Sequence, residues 1–117
     1  LGTPMSAEGV HSITMDDFVA KNNINKLDFI KVDTDGHEYE VFSGAKNTIA
    51  TLRPKIIFEL GLYVMKEKNF DFDFYWNYFH PLNYKLYDST NTEEITIDNY
   101  TKHLPKYGSI DVLAIPQ

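Results

Sequence analysis

The chain alternates between short apolar runs and segments whose apolar residues recur at every third or fourth position. Four runs are rich in β-branched and aromatic residues and are bounded by polar or glycine-containing stretches, as is typical of buried strands. These predicted strands lie near residues 28–33, 56–60, 84–88 and 110–116.

The three- and four-residue spacing predicts helices between these strands. One spans residues 38–52 and ends before Pro54, because the residue preceding proline avoids the helical conformation. A second covers residues 71–82. A short helix after Thr14, which can cap it, is expected to carry Phe18 and Val19 inward. Residues 61–69 are interpreted as a loop or partial helix, and residues 89–109 mainly as a long loop.

Alternating strands and helices favour an α/β fold with a mostly parallel sheet and right-handed crossovers. No helix is predicted between the last two strands, so the last strand is expected to pair antiparallel. A length of 117 residues suits one domain, residues 1–117. Ligands of such sheets bind beyond the carboxyl ends of the strands, where Asp33 and Glu59 stand.

Composition excludes several classes of function. The net charge is −6 and the lysines are scattered, which argues against nucleic-acid binding. The absence of cysteine excludes disulfides, zinc–thiolate sites and cysteine nucleophiles. No apolar run approaches the roughly 20 residues that span a bilayer. We therefore expect no membrane partner and a cytoplasmic location.

The densest polar cluster is the segment D-T-D-G-H-E, residues 33–38, between a strand and a helix. Its acids and His37 are candidates for a general base, for metal ligands or for clamps on a hydroxyl group. The same residues also have a purely structural interpretation, in which Asp35 caps the helix, Gly36 allows the turn and Glu38 complements the helix dipole. Elsewhere, His11, His80 and His103 stand alone and are expected at the surface.

Two metal motifs fail on spacing. An EF-hand loop containing this segment needs Glu where Phe42 stands. A zincin helix starting at His37 needs a second histidine where Val41 stands. The sequence also contains no Gly-rich phosphate loop and no G-x-S-x-G elbow.

The order of motifs resembles the FkbM methyltransferase family. That family shows a T-L-D-D segment, an I-K-I-D-V-E-G-H/A-E strand and turn, a V-L-x-G-A helix and a P-x-I-I-x-E strand. The matching segments here are T-M-D-D-F (14–18), D-F-I-K-V-D-T-D-G-H-E (28–38), V-F-S-G-A (41–45) and R-P-K-I-I-F-E (53–59). The likeness is continuous over about residues 13–60. The pair Thr34-Asp35 replaces the more common Val-Glu.

This resemblance implies a partial Rossmann-like, class I methyltransferase fold. It also implies transfer of a methyl group from S-adenosylmethionine to a hydroxyl of a sugar, polyketide or similar small molecule. The four predicted strands would be the family's fourth to seventh. The first strand, with its Gly-rich cofactor turn, and the second, with its ribose-binding acid, have no counterpart in this sequence. We therefore expect the chain to be the carboxyl-terminal part of such a domain, lacking the usual cofactor-binding half and inactive alone.

On this resemblance the catalytic candidates are Asp33, Asp35, His37 and Glu59. Val32 and Asp33 are expected beside the methyl donor. His37 or Asp35 would act as base, and Glu59 would orient the acceptor or join Asp33 on a divalent metal ion. The alternatives are a non-catalytic binding domain and a metal-dependent hydrolase using Asp33, Asp35 and Glu59.

The resemblance also places the family's first strand beside its fourth, here residues 28–33. Without that neighbour the strand would present an unpaired apolar edge, which is a template for pairing with another chain. We expect a homo-oligomer through this edge, or its coverage by residues 1–13.

Overall fold

A computed structural model describes residues 12–34, 36–67, 71–90, 92–105 and 107–117. Its helices are α1 (Met15–Lys21), α2 (Glu38–Ser43), α3 (Lys46–Leu52), α4 (Leu62–Glu67), α5 (Phe72–Phe79) and α6 (Tyr100–His103). Its strands are β1 (Phe29–Val32), β2 (Lys55–Leu60), β3 (Tyr84–Asp88), β4 (Glu94–Ile95) and β5 (Ile110–Pro116).

The described strands form one sheet in the order β1-β2-β5-β3-β4. The α/β class, the four predicted strands and the antiparallel last strand are confirmed. The prediction of a mostly parallel sheet is wrong. Among the described strands, β1 and β2 form the one parallel pair, and the other three pairs are antiparallel. The reason is the insertion of β5 between β2 and β3. Both of these strands run antiparallel to β5, so β1, β2 and β3 still point the same way.

Helix α1 begins at Thr14, whose hydroxyl accepts a 3.1 Å hydrogen bond from the backbone N–H of Asp17. The predicted cap is therefore confirmed. Phe18 does not turn inward as predicted, because 48% of its surface is exposed, whereas Val19 is half-buried. Seven residues make two turns, and the helix contacts the rest of the protein mainly through α3.

The predicted helix over residues 38–52 is divided into α2 and α3 at Gly44 and Ala45. A Cβ atom on Gly44 would lie 3.0 Å from Cβ and Cγ2 of Thr14, so a side chain at this position would have to push the start of α1 away. The Gly44 carbonyl also accepts a 2.9 Å hydrogen bond from the N–H of Asp16. Glycine therefore lets the start of α1 lie directly on the junction between α2 and α3.

Helix α5 supplies the aromatic part of the core. Phe79 and Tyr75 are buried and stack on Phe58 of β2, at centroid distances of 5.7 and 5.1 Å. Phe42 of α2 meets Phe58 edge to face at 5.2 Å. Aromatic pairs in these geometries stabilise a core beyond their buried area. The helix is shorter than predicted because residues 80–82 form a 3₁₀ turn containing Pro81.

Residues 89–109 contain more structure than the predicted long loop. Strand β4 pairs with β3, and the Asn99 side chain fastens the turn before α6. Its amide oxygen accepts from the N–H of Thr96 at 2.7 Å, and its NH₂ donates to the Glu94 carbonyl at 3.0 Å. The prediction that His103 lies at the surface is wrong, because this last residue of α6 is buried.

The sheet is covered on one face and largely open on the other. Along β1, Ile30 and Val32 are buried, whereas Phe29 is 53% exposed and Lys31 is exposed. In the described part of the chain, β2 is the only strand that pairs with β1, which places β1 at an edge as predicted. Residues 1–11, which were expected near this edge, lie outside the described ranges. None of the helices in those ranges is long and apolar enough to cross a membrane.

Candidate functional site

The carboxyl end of β1 lies beside that of β2, where the polypeptide forms a groove of about 430 Å³ on the open face. It is lined by Phe29, Lys31, Val32, Asp33, Ile57, Phe58, Glu59 and Asp111. Parallel pairing of Val32 with Phe58 puts the next residues, Asp33 and Glu59, at the same level of the sheet. The two acids predicted to share a cleft therefore line one groove.

The other two catalytic candidates are not brought to this groove. His37 is exposed just before α2, and its Nδ1 lies 3.8 Å from Oε1 of Glu40 in an exposed ion pair. Asp35 lies outside the described residues. Gly36 is buried with φ of 96°, a conformation that side chains disfavour, so the predicted turn role of this glycine is confirmed.

Strand β5 adds residues that sequence reasoning missed. Glu59 and Asp111 are direct partners in the antiparallel register of β2 and β5. The hydroxyl of Ser109 donates a 2.7 Å hydrogen bond to Oε1 of Glu59. These contacts depend on the insertion of β5 beside β2, and the strand pattern of the sequence does not specify that neighbour. Like charges opposite each other destabilise a sheet, so Glu59 and Asp111 are costly as purely structural residues.

Glu38 is a buried acid within electrostatic range of Glu59. The residue is 4% exposed, at the first position of α2. Burial raises the pKa of its carboxyl, and repulsion from Glu59 adds to the rise, while the N–H groups of Glu38 and Gly36 oppose it. A carboxyl with a raised pKa holds a proton more readily, which suits proton transfer. The helix-dipole interpretation of Glu38 does not account for its burial.

Thr34 presents a second unusual feature at the end of β1. Its Oγ1 atom is buried, and no hydrogen-bond partner for it exists within the described ranges. A buried hydroxyl without a partner is costly, which is typical of a position completed by a ligand or water.

Two further features bear on the choice of site. Among the described residues, no three His, Asp or Glu side chains are grouped so that they could hold a metal ion. A groove of about 650 Å³ lies at α1, with Phe18, Val41 and Gly44 in its wall. That groove is mainly apolar and contains none of the predicted site residues, so we place the candidate site at Asp33 and Glu59.

Comparison with known proteins identifies the family of the chain. No curated protein and no solved structure matches the chain significantly. A model of the methyltransferase FkbM domain matches residues 2–86, which is more than half of the chain and extends past residue 60. The chain therefore belongs to the methyltransferase FkbM domain family.

Proposed function

We propose that the protein transfers a methyl group from S-adenosylmethionine to a hydroxyl oxygen of a sugar, polyketide or similar small molecule. Family membership supports methyl transfer in general. The observation that carries the finer proposal is the placement of Asp33 and Glu59 in one groove at the carboxyl ends of parallel strands. Ligands of α/β sheets bind at these ends.

The donor atoms at the end of β1 fit this cofactor. S-adenosylmethionine supplies an electrophilic methyl group on a positively charged sulfonium. Asp33 and Glu59 provide negative charge in the groove, and Thr34 provides a buried hydroxyl without a described partner. We assign Val32 and Asp33 to the wall beside the methyl donor.

The remaining acids suit the acceptor. We propose that Glu59 accepts a hydrogen bond from the acceptor hydroxyl and orients its oxygen, while Ser109 holds the Glu59 carboxylate. Orientation of the reacting atoms contributes much of the rate of such displacements. Glu38, buried within electrostatic range of Glu59, is our candidate to receive the hydroxyl proton. His37 and Asp35 remain alternative bases.

The setting of the reaction is part of the proposal. We propose a small-molecule or glycan acceptor and a cytoplasmic location, in keeping with the acidic, cysteine-free composition. No observation favours the hydrolase alternative, which needs several acids grouped around a metal ion. The non-catalytic binding domain remains the outcome to be tested.

Calorimetry with S-adenosylmethionine tests the assignment of the donor side. For the complete gene product we expect binding that Asp33→Asn weakens and that Asp28→Asn, an exposed control on the same strand segment, leaves unchanged. The 117-residue chain alone is expected not to bind tightly, since it contains no Gly-rich cofactor turn. Absence of binding by the complete gene product would favour the non-catalytic domain. Micromolar binding by the 117-residue chain would overturn the assignment of its strands as the family's fourth to seventh.

A further inference from the structure

His103, the last residue of α6, is buried with a carboxylate facing each of its ring nitrogens. Its Nδ1 lies 3.0 Å from Oδ2 of Asp88 at the end of β3. Its Nε2 lies 3.5 Å from Oε2 of Glu93, in the turn between β3 and β4. The side chains of His103 and Asp88 are only 2% and 5% exposed, so this contact is shielded from water.

Asp88 is built to carry a negative charge. Its Oδ1 accepts hydrogen bonds from the N–H and the hydroxyl of Thr90, at 2.9 and 2.7 Å. The Thr90 hydroxyl lowers the pKa of Asp88 most, and the contact with His103 lowers it further against the effect of burial. A buried carboxylate is stable only with a compensating donor or positive charge, and His103 supplies the remaining contact.

The two contacts of His103 distinguish the neutral from the doubly protonated form of its imidazole ring. A neutral imidazole has one N–H, so donation from Nδ1 to Asp88 would leave a lone pair on Nε2 facing the Glu93 carboxylate. In that arrangement two hydrogen-bond acceptors, the Nε2 lone pair and the Glu93 carboxylate, face each other without a proton between them. Within the ranges described, Nε2 has no hydrogen-bond partner. In the doubly protonated ring, Nδ1–H donates to Asp88 and Nε2–H faces the Glu93 carboxylate as an ion pair, so the ring carries the charge that both acids need.

We propose that His103 is a doubly protonated latch that fastens α6 to β3 and to the turn carrying Glu93, and that loss of one proton releases it. Among the residues that the structure describes, the charged groups around the ring are Asp88 from β3, Glu93 from the turn, and Lys102 from α6 itself. Lys102 Nζ lies 3.6 Å from Oε2 of Glu93 and partly offsets that carboxylate. On the adjoining hairpin, Lys85 and Glu94 form an exposed ion pair with each other, so their charges offset one another.

The latch borders the candidate site. The N–H of Ser89, next to Asp88, donates to the carbonyl of Asp111 at 3.1 Å. Helix α6 is followed by Ser109, which holds Glu59. Release of His103 would therefore loosen the rim of the groove. The latch is independent of the proposed methyl transfer, whereas its effect on the groove matters only if that proposal holds.

Long-range ¹H–¹⁵N NMR of the 117-residue chain reads the ring directly. At about pH 7.5, about one unit above the ordinary histidine value, we expect both nitrogens of His103 to be protonated. His80, exposed and stacked on Trp76, is the internal reference, because no carboxylate partner of its ring is described. A singly protonated His103 at this pH would overturn the latch.

Glu93→Gln separates the two ring forms independently. The amide of glutamine can donate to a lone pair on Nε2, so a neutral His103 would gain a partner and the variant would be at least as stable as the wild type. Beside a doubly protonated ring, the substitution removes a charge partner, so we expect the variant to unfold at a lower urea concentration than the wild type. An unchanged or raised urea midpoint would contradict the latch. Asp98→Asn, an exposed acid between β4 and α6, is the matched control.

Discussion

The Ser109 hydroxyl donates a 2.7 Å hydrogen bond to Oε1 of Glu59, joining residues that lie 50 positions apart in the sequence. The bond fixes a carboxylate that would otherwise rotate freely on the exposed face of the sheet. It therefore ties the orientation of Glu59 to the position of β5.

Ser109→Ala tests this relationship. A typical hydrogen bond contributes about 0.5–1.5 kcal/mol, so we expect methyl transfer by the complete gene product to fall roughly two- to tenfold. Stability should change little, because Ser109 is exposed. Steady-state kinetics with Ser43→Ala, an exposed control on α2, measures the effect. An unchanged kcat/KM for Ser109→Ala would show that this bond does not position Glu59 for the reaction.

Glu38→Gln tests the buried acid. The folded pKa of Glu38 is raised, so its contribution to stability is present below the unfolded pKa of about 4.3 and is lost as pH rises through the folded value. We expect the free energy of unfolding of the wild type to fall as pH rises from the unfolded to the folded pKa of Glu38. The free energy of unfolding of Glu38→Gln should fall less over the same pH range. Urea titrations between about pH 4 and pH 8 measure this. Glu40→Gln, exposed two residues away, should retain the wild-type profile.

Asp16→Asn tests the contact that fastens α1 to α3. The Asp16 carboxylate accepts from the N–H and hydroxyl of Thr48 at 2.8 and 2.7 Å, and from the N–H of Asn47 at 3.1 Å. Partial burial opposes ionisation, but these bonds hold the pKa of Asp16 below its ordinary value. Its stabilisation is therefore present above the unfolded pKa and is lost as pH falls through the folded value.

We expect Asp16→Asn to lower the free energy of unfolding by about 1–3 kcal/mol at neutral pH, and by less in acid. Urea denaturation at the two pH values measures the difference. Asp17→Asn, an exposed acid in the same helical turn, is the control. Equal losses for the two variants would mean that helix-dipole effects, and not the contact with Thr48, explain the result.

The edge at β1 leads to a prediction on assembly. We propose that the 117-residue chain self-associates through this edge, where Phe29 is 53% exposed. Sedimentation over a range of concentrations should show a dimer that Phe29→Lys weakens. Tyr39→Lys, which changes an exposed aromatic residue on α2, is the control. A monomer at every concentration would count against the proposal, and coverage of the edge by residues 1–13 would then be the expectation to examine.

Local patterns in the sequence determined much of the fold. The four main strands, the Thr14 cap and the Gly36 turn each depend on a few neighbouring residues, and all are confirmed. The place of β5 depends on contacts between residues far apart in the chain, so the predicted sheet was wrong in its neighbours. The same distant contact brings Ser109 and Asp111 to the site, which is why they were missed.

His103 shows a different limit of sequence reasoning. An isolated histidine is ordinarily a surface residue, and nothing near it in the sequence indicates burial. Its partner Asp88 lies 15 positions earlier, across a segment that was interpreted as a loop. The strand alternation did place Asp88 on the same face as Tyr84 and Leu86, and all three are buried. A charged residue on a buried face is a signal that some partner must exist.

The central claim is tested most directly by methyl transfer itself. The complete gene product is incubated with S-adenosylmethionine labelled in its methyl group and with a panel of sugar and polyketide alcohols, and the products are located by mass spectrometry and NMR. We expect a labelled methyl ether with one class of alcohol, reduced at least about tenfold by Asp33→Asn and by Glu59→Gln, and unaffected by Asp98→Asn, an exposed acid between β4 and α6. Label on nitrogen or carbon, or equal rates for all four proteins, would contradict the account.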